Sequence, residues 1–259
     1  MKAITALFLG CIFVSCGGSV RQPPVKSNNA TQINSPNLFV VYIGDSIFQC
    51  ETVSLPDNCP SAPGFPYPGL QQGVGDDTMA AAGDFDPGCN CLHLSMEERF
   101  QEDAISPCHA QSLPCLVVVE GGRNDLARIT VGEETLQQLK SAAQHIMAMA
   151  QQANIFCVML TIPPDDKGLL LPNEIANLQA FNNWLLYTAI EPYIFSGQCQ
   201  GPFGYRCWLG YADIYAPMAK ADGTAQSGLL FDGIHPSAQG FAVINSVILQ
   251  AMQSLYPLQ

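Results

Sequence analysis

The stretch Leu-Phe-Val-Val-Tyr-Ile-Gly-Asp-Ser, residues 38–46, decides the fold that we predict for this chain. Residues 38–43 form an apolar, β-branched run without polar alternation, which is typical of a strand buried on both faces of a parallel sheet. The run stops at Gly44, and Gly44-Asp45-Ser46 is a turn sequence of the kind that leads a strand into a helix. We therefore expect an α/β fold whose first strand ends directly before Ser46.

Strand and helix patterns alternate along the rest of the chain. Short apolar runs predict strands over residues 79–82, 116–120, 155–162 and 211–215, of which 116–120 is the strongest. A helix is predicted after the capping-box sequence Thr130-x-x-Glu133, because apolar residues then recur at spacings of three and four, and further helices are predicted over 172–190 and 241–255. Residues 50–77, crowded with Pro, Gly and Cys, predict an irregular insertion. The alternation predicts a flavodoxin-like three-layer α/β/α sandwich that binds ligands at the carboxyl ends of a central parallel sheet.

Composition limits the class of protein. The 259 residues, 48% of them apolar, are enough to bury the core of one domain. Asp and Glu number 22 against 10 Lys and Arg, which gives a net charge of −12. A chain this acidic lacks the basic surface that phosphate backbones and anionic membranes require, so nucleic acid is not an expected partner.

The N-terminus has the form of an export signal. Met1-Lys2 precedes a mostly apolar run that is too short to span a bilayer, for which a helix needs about 20 apolar residues. Residues 13–16, Phe-Val-Ser-Cys, resemble a bacterial lipobox with Phe in place of the usual Leu, and they favour an exported protein anchored by lipid on Cys16 at the cell envelope. Cleavage to a secreted or periplasmic form is the alternative. Residues 1–16 are thus a predicted signal peptide, residues 17–37 a flexible tether rich in Gly, Ser, Asn and Pro, and residues 38–259 the folded domain.

The cysteine content also indicates an oxidising compartment. The chain has 11 cysteines, a number that suits an exported protein. Cys157 lies within the apolar run 155–162, where a buried free thiol behaves as a small hydrophobic group. With Cys11 and Cys16 of the N-terminal signal set aside, we expect local bridges of Cys50 with Cys59 and of Cys199 with Cys207. Further pairing is expected among Cys89, Cys91, Cys108 and Cys115, in a connectivity that stays open.

A zinc site at Cys89, Cys91 and His93 is the rival interpretation of these cysteines. The two cysteines lack the two-residue spacing that is usual in zinc-binding pairs, and the chain carries an export signal. We therefore predict no metal ligand.

Two short motifs far apart in the chain carry residues that could activate a serine. Ser46 follows the first predicted strand, and Asp232 precedes His235 by three residues in a loop before the last predicted helix. A serine hydroxyl is a weak nucleophile at neutral pH, so it needs a base within hydrogen-bond reach and a carboxylate that orients the base. Ser46, His235 and Asp232 match these three roles, although each of them alone could be a turn, capping or structural residue.

The oxyanion that develops in such a reaction needs hydrogen-bond donors. The backbone N–H of Ser46 is one candidate. Asn124, in Gly-Arg-Asn-Asp at residues 122–125, follows the strongest predicted strand and offers a side-chain N–H₂. Gly83 offers a backbone N–H that no Cβ obstructs, and Gly88 competes with it for this role.

Together these motifs resemble those of the SGNH, or GDSL, hydrolase family, over roughly residues 38–255. That family has Ser in a Gly-Asp-Ser block, a Gly, an Asn in Gly-x-Asn-Asp and a final Asp-x-x-His. By this resemblance Ser46 is the nucleophile, His235 the base and Asp232 its orienting acid. The resemblance also implies an oxyanion hole formed by the Ser46 amide, Gly83 and Asn124.

The chain departs from the family pattern at two places. Ile47 stands where Leu often follows the serine, and the Gly83 block lacks the usual preceding Asn. The motif also differs from the Gly-x-Ser-x-Gly elbow of α/β-hydrolases, because Phe48 occupies the final glycine position. The second departure falls in the block that assigns Gly83, whereas the blocks of Ser46, Asn124, Asp232 and His235 match the family pattern.

The resemblance implies an exported serine hydrolase that cleaves ester bonds through an acyl-enzyme, without a metal or cofactor. We expect a small-molecule or carbohydrate ester as its partner, from which short acyl groups are released. A lipase, lysophospholipase or thioesterase on the same scaffold is the alternative within the family. A non-catalytic, surface-anchored binding protein is the alternative outside it, which the intact motifs disfavour. A membrane is an expected partner only through the lipid on Cys16.

Overall fold

A five-stranded parallel sheet lies at the centre of the computed structural model. The structure describes residues 38–52, 64–80, 84–86, 91–166, 171–189 and 209–255. In chain order the strands are β1 (Phe39–Gly44), β2 (Leu70–Gly73), β3 (Asp84–Asp86), β4 (Cys91–His93), β5 (Cys115–Val119), β6 (Phe156–Leu160) and β7 (Leu209–Ala212). The sheet has the order β2-β1-β5-β6-β7, and β3 and β4 form a separate antiparallel pair. Without that pair the order is 2-1-3-4-5, so the predicted flavodoxin-like α/β fold is confirmed.

Helices cover both faces of the sheet. In chain order they are α1 (Ser46–Thr52), α2 (Met96–Phe100), α3 (Ser106–His109), α4 (Arg123–Val131), α5 (Leu136–Gln152), α6 (Pro172–Trp184) and α7 (Ala238–Leu255), with π-helical turns at Gln101–Ile105 and Leu185–Ala189. Alternate residues of β1 enter two separate apolar layers. Val41 packs in the layer that contains Ile146 of α5, whereas Val40 packs in the layer that contains Ile248 of α7. The result is the predicted three-layer sandwich.

The central strands are buried because helices lie on both of their faces. Every residue of β5 and β6 is buried, and their sequences, Cys-Leu-Val-Val-Val and Phe-Cys-Val-Met-Leu, contain no charged or amide side chain. Cys157 in β6 is a buried free thiol, as predicted, and burial raises its pKa to about 12.

The strand predicted over residues 79–82 is wrong at residues 79 and 80, and residues 81 and 82 lie outside the described residues. Met79 and Ala80 lie in a bend, where their N–H groups donate to the Asp125 carboxylate (2.8 Å each) instead of to a strand. The edge strand that pairs with β1 is β2, and it lies inside the stretch that we predicted to be irregular. Its half-buried sequence, Leu-Gln-Gln-Gly, has no apolar alternation. An edge strand of this length can form without such a pattern, because backbone hydrogen bonds to β1 hold it more than side-chain burial does.

The predicted capping box at Thr130 is also wrong. Thr130 lies near the end of α4, where its hydroxyl donates to the carbonyl of Leu126 (2.9 Å), and the left-handed Gly132 (φ 80) ends this helix. Helix α5 begins instead at a capping box in which the hydroxyl of Thr135 accepts the N–H of Gln138. The helix itself was predicted because apolar spacing, rather than the cap, marks its buried face.

Strand β7 ends earlier than the predicted strand over residues 211–215. Oδ1 of Asp213 accepts the N–H groups of Tyr215 and Ala216 (3.1 Å each), which turns the chain away from the sheet. An aspartate at a strand end is therefore the stop signal that the sequence prediction passed over.

Cysteine pairing is seen at two places in the described chain. Cys108 and Cys115 form a disulfide, one of the pairings that the sequence left open, and Cys50 also takes part in a disulfide. The predicted signal and lipidation site (1–16), the tether (17–37), both candidate oxyanion glycines and the predicted partners Cys59, Cys89, Cys199 and Cys207 lie outside the described residues. Within the part that is described, no helix is long and apolar enough to cross a membrane, and no cluster of His, Cys, Asp and Glu could hold a metal ion.

Candidate active site

The carboxyl end of β1 places Ser46 at the edge of the sheet, as the first residue of α1. A Cβ at Gly44 would lie 2.8 Å from the ring of Phe48, so glycine is required where strand and helix approach this closely. The buried Asp45 closes the turn by accepting the N–H of Ile47 on Oδ1 (2.9 Å). Ser46 stays partly exposed beside β5, at the point where the strand order reverses and where such sheets bind ligands.

A short loop before α7 brings Asp232 and His235 to Ser46. Gly233 adopts a left-handed conformation (φ 95), and Oδ1 of Asp232 accepts the N–H groups of Ile234 (3.0 Å) and His235 (2.8 Å). Oδ2 of Asp232 lies 2.7 Å from Nδ1 of His235, and Nε2 of His235 lies 3.0 Å from Oγ of Ser46. The three residues singled out from the sequence therefore meet within hydrogen-bond distance.

The charge of Asp232 decides which imidazole nitrogen carries the proton. Partial burial opposes ionisation, but hydrogen bonds from the His235 ring and from two backbone N–H groups outweigh it and lower the pKa of Asp232. The ionised Oδ2 then accepts a hydrogen bond from Nδ1–H, which assigns the lone pair to Nε2. In this tautomer Ser46 donates its hydroxyl proton to His235, which is the arrangement of a nucleophile with its general base.

Asn124 lies on the neighbouring strand end. It is the second residue of α4, which begins after the left-handed Gly122 (φ 101) at the carboxyl end of β5. Its Nδ2 donates one N–H to the carbonyl of Asp77 (2.8 Å), and the amide carries a second N–H. Because β1 and β5 pair in parallel, Asn124 and Ser46 lie at the same end of adjacent strands.

Arg99 supports the site but was not predicted. It is a buried residue of α2 whose guanidinium donates to the carbonyls of Gly44 and Gln72 (3.0 Å each) and to Oδ2 of Asp77 (2.6 Å from Nη2). Arg99 thus joins the ends of β1 and β2 to the loop of Asp77, whose carbonyl accepts the hydrogen bond from the Asn124 amide. In sequence Arg99 has an ordinary i,i+4 partner, Asp103, so no signal separates it from a solvated helical residue.

A second buried arginine supports the loop that carries the imidazole. Arg123 bonds to Oδ2 of Asp165 (2.6 Å) and to Oε1 of Glu174 (2.8 Å), which ties the start of α4 to the segment after β6 and to α6. In the same segment the N–H of Asp166 donates to the carbonyl of Gly233 (2.9 Å). Arg123 occupies the variable position of the Gly-x-Asn-Asp motif, so the motif predicted no role for it.

Several buried carboxyl groups lie beneath this edge of the sheet. Burial outweighs the attraction of Arg99 and raises the pKa of Asp77 to about 7. Burial also raises the pKa values of Asp125 and Asp165, each to about 6. No local pattern predicted these buried acids, because aspartate in a loop is typical of an exposed turn.

The surface around the site is partly apolar. The ring of Phe231, 40% exposed, stacks against the imidazole of His235 with the ring centroids 5.8 Å apart. Leu94 and Leu171 are each 55% exposed. Leu94 precedes the N-cap residue of α2, and Leu171 is the N-cap residue of α6, and both helices begin at the edge of the sheet that carries Ser46. We call Phe231, Leu94 and Leu171 the apolar rim.

Solved structures of other proteins share this fold. A GDSL-like lipase from Bacteroides thetaiotaomicron is similar with a TM-score of 0.57 and 20% identity, over 86% of this chain and 90% of that one. A point variant of an acetyl xylan esterase from Geobacillus stearothermophilus is similar with a TM-score of 0.54 and 15% identity, over 84% of this chain and 95% of that one. At these identities the likeness shows the fold alone. None of the curated proteins matches this chain in sequence.

The family of the chain follows from a match in sequence. A model of the GDSL-like lipase/acylhydrolase family matches residues 42–243, which is most of the folded domain. The matched span contains Ser46, Asn124, Asp232 and His235. This chain therefore belongs to the GDSL-like lipase/acylhydrolase family, and it is an ester hydrolase.

Proposed function

We propose that this ester hydrolase uses Ser46 as its nucleophile, His235 as its general base and Asp232 as the acid that orients His235. One observation carries the proposal: an unbroken hydrogen-bonded series runs from the Ser46 hydroxyl through both ring nitrogens of His235 to Asp232, with distances of 3.0 and 2.7 Å. The lowered pKa of Asp232 supports it, because an ionised carboxylate stabilises the imidazolium that forms when His235 takes a proton.

The reaction has two halves. Oγ of Ser46 attacks the ester carbonyl while Nε2 of His235 takes the hydroxyl proton, and the carbonyl oxygen becomes an oxyanion. Collapse of this intermediate breaks the ester C–O bond, and His235 delivers its proton to the departing alcohol. Water then attacks the acyl-enzyme with His235 again as the base, which releases the carboxylic acid and restores Ser46. The backbone N–H of Ser46, Nδ2–H of Asn124 and the N–H of Gly83 are the proposed oxyanion donors.

The proposed substrates are small-molecule or carbohydrate esters with short acyl groups. An acetyl xylan esterase with the same fold supports this choice. The exposed ring of Phe231 beside His235 supports it as well, because His235 must protonate the leaving alcohol and an aromatic face there can pack against the alcohol part of a substrate. The net charge of −12 argues against nucleic-acid substrates.

A lipase-type activity on longer acyl chains is the second candidate, and the apolar rim favours it. Large exposed apolar side chains near a binding site lower the cost of holding an acyl chain out of water. Rates on p-nitrophenyl esters from acetyl to palmitoyl separate the two candidates. A short-acyl esterase should be fastest with acetyl, whereas activity that rises with chain length would favour the lipase.

We also propose that the protein is exported and carries lipid on Cys16 at the cell envelope. The apolar N-terminal run and the lipobox-like residues 13–16 support this proposal. Cys16→Ala should move the protein from the membrane to the soluble fraction, whereas Cys11→Ala should not. Equal fractionation of both variants would contradict lipid anchoring.

The central test is Ser46→Ala. Turnover of p-nitrophenyl acetate should fall by roughly 10⁴-fold or more, because without the nucleophile no acyl-enzyme can form. Ser141→Ala, which replaces an exposed serine of α5, is the matched control and should keep full activity. A fluorophosphonate probe should label the wild type and not the Ser46 variant. An unlabelled wild type would support a binding protein without catalysis, and full activity of Ser46→Ala would end the serine mechanism.

A further inference from the structure

Two acidic side chains lie side by side beneath the turn of Ser46. Asp45 precedes the serine at the end of β1, and Glu120 follows β5, the neighbouring strand, with its N–H bonded to the carbonyl of Ile43 (3.0 Å). Asp45 is 0% exposed and Glu120 is 1% exposed. Acids are almost never buried this completely unless something compensates for the loss of water.

The carboxyl oxygens of Asp45 and Glu120 have few hydrogen-bond donors around them. Oδ1 of Asp45 accepts the N–H of Ile47, but no side-chain N–H or O–H donor of the described residues reaches Oδ2 of Asp45 or either oxygen of Glu120. The side chains of Asp45 and Glu120 interact with each other, and the backbone N–H of Asp45 also interacts with the Glu120 carboxyl group. Carboxylates only accept hydrogen bonds, so a bond between them requires that one of the two carries a proton.

The surrounding charges favour retention of that proton. Burial and the negative charge of Asp45 raise the pKa of Glu120 well above its ordinary value and outweigh the opposing hydrogen bond from the Asp45 backbone N–H, and Asp77 adds to the increase. Burial also raises the pKa of Asp45, against weaker opposing contributions from His235 and Arg123. No cation ion-pairs with either acid in the described chain, since Arg99 binds Asp77 and Asp103, and Arg123 binds Asp165 and Glu174.

We propose that Glu120 is a positioning residue, which donates a hydrogen bond from its protonated carboxyl to Oδ2 of Asp45 and so holds the turn that presents Ser46 to His235. The inference rests on the proposed role of Ser46 as nucleophile. Asp45 would then be held at both oxygens, by the Ile47 N–H on one side and by Glu120 on the other. The 3.0 Å bond from Ser46 to His235 depends on this turn, because Asp45 is the residue that joins the strand end to the serine.

Kinetics of two substitutions test the positioning role. Glu120→Gln keeps the shape and a permanent N–H donor, so kcat for p-nitrophenyl acetate should stay close to that of the wild type. Glu120→Leu removes the donor and leaves Oδ2 of Asp45 buried and unpaired, so kcat should fall by about 10²-fold with little change in KM, as expected for a displaced nucleophile. Ile146→Val, on the buried face of α5, is a control that loses stability without contact to the site. Wild-type kcat in Glu120→Leu would overturn the positioning role.

The pH dependence of thermal stability tests the proton without the need for turnover. A folded state that retains one extra proton loses stability as pH rises above the pKa of the unfolded Glu, about 4.3, until the folded pair itself ionises. For the wild type this contribution lowers Tm by about 3 to 5 °C per pH unit, and Glu120→Gln should remove it, so the two Tm values converge near pH 5 and separate near pH 8. Equal slopes in both proteins would overturn the shared proton. If Ser46→Ala remained active, the serine mechanism would fail, but this comparison of slopes would still decide whether the pair shares a proton.

Discussion

At the scale of single residues, Asn124 is where a role in the reaction can be separated from a role in folding. Its amide is anchored by one hydrogen bond to the Asp77 carbonyl, and the second N–H is the proposed oxyanion donor. Such a donor acts mainly on the transition state, so Asn124→Ala should lower kcat by about 10² to 10³ with little change in KM. Steady-state kinetics with p-nitrophenyl acetate measure both constants. Asn183→Ala, at an exposed position of α6, is the control, and an unchanged kcat in Asn124→Ala would assign the oxyanion to other donors.

At the scale of elements, Arg99 of α2 links the carboxyl ends of β1 and β2 to Asp77. Its loss leaves Asp77 buried without its cation, which in other buried pairs costs about 3 to 5 kcal/mol. Arg99→Met should lower the free energy of unfolding in urea by this order, and addition of Asp77→Asn should recover part of it, since the uncompensated acid is then gone. Arg128→Met, whose bond to Glu133 is longer (3.7 Å) and more exposed, should cost about 1 kcal/mol or less. Equal losses at both arginines would contradict the proposed link.

At the scale of the whole molecule, buried acids should make the fold more stable at mildly acidic pH. Burial raises the pKa of Asp77 to about 7 and those of Asp125 and Asp165 to about 6, whereas an unfolded aspartate titrates near 3.9. The folded protein therefore binds more protons between about pH 4 and pH 7, and its free energy of unfolding should fall, by on the order of a few kcal/mol, as pH rises through this window. Asp232 acts in the opposite sense. Its lowered pKa adds stability at neutral pH, and this contribution is lost only as the pH falls below the ordinary range of an aspartate.

Urea titrations at several pH values measure this dependence. Added salt screens the surface charge of a chain with net charge −12, but it screens buried groups much less, so the trend should persist in high salt. Stability that rises between about pH 5 and pH 7.5 would mean that these acids are ionised in the folded state.

Part of the fold and of the site could be predicted because the signals are local. The apolar runs of β1, β5 and β6 mark strands wherever they lie, and the Asp-x-x-His loop closes on itself through hydrogen bonds within four residues. The errors fall where local signals are weak. Met79 and Ala80, in the predicted strand over residues 79–82, lie in a bend held by Asp125, and the edge strand β2 has a polar sequence that no pattern marks.

By itself, then, the amino-acid order determined the α/β class and the residues that would meet at the sheet edge, because alternating apolar runs impose a parallel sheet and its strand ends converge. The tertiary structure alone decided which charged groups lie beneath that edge. Arg99 and Glu120 look like ordinary polar residues in the sequence, yet both are buried. Their partners, Gly44 and Asp45, are distant along the chain and are brought close only by the packing of α2 and β5 against β1. Burial and charge pairing between distant segments are properties of the folded molecule, and local sequence patterns do not encode them.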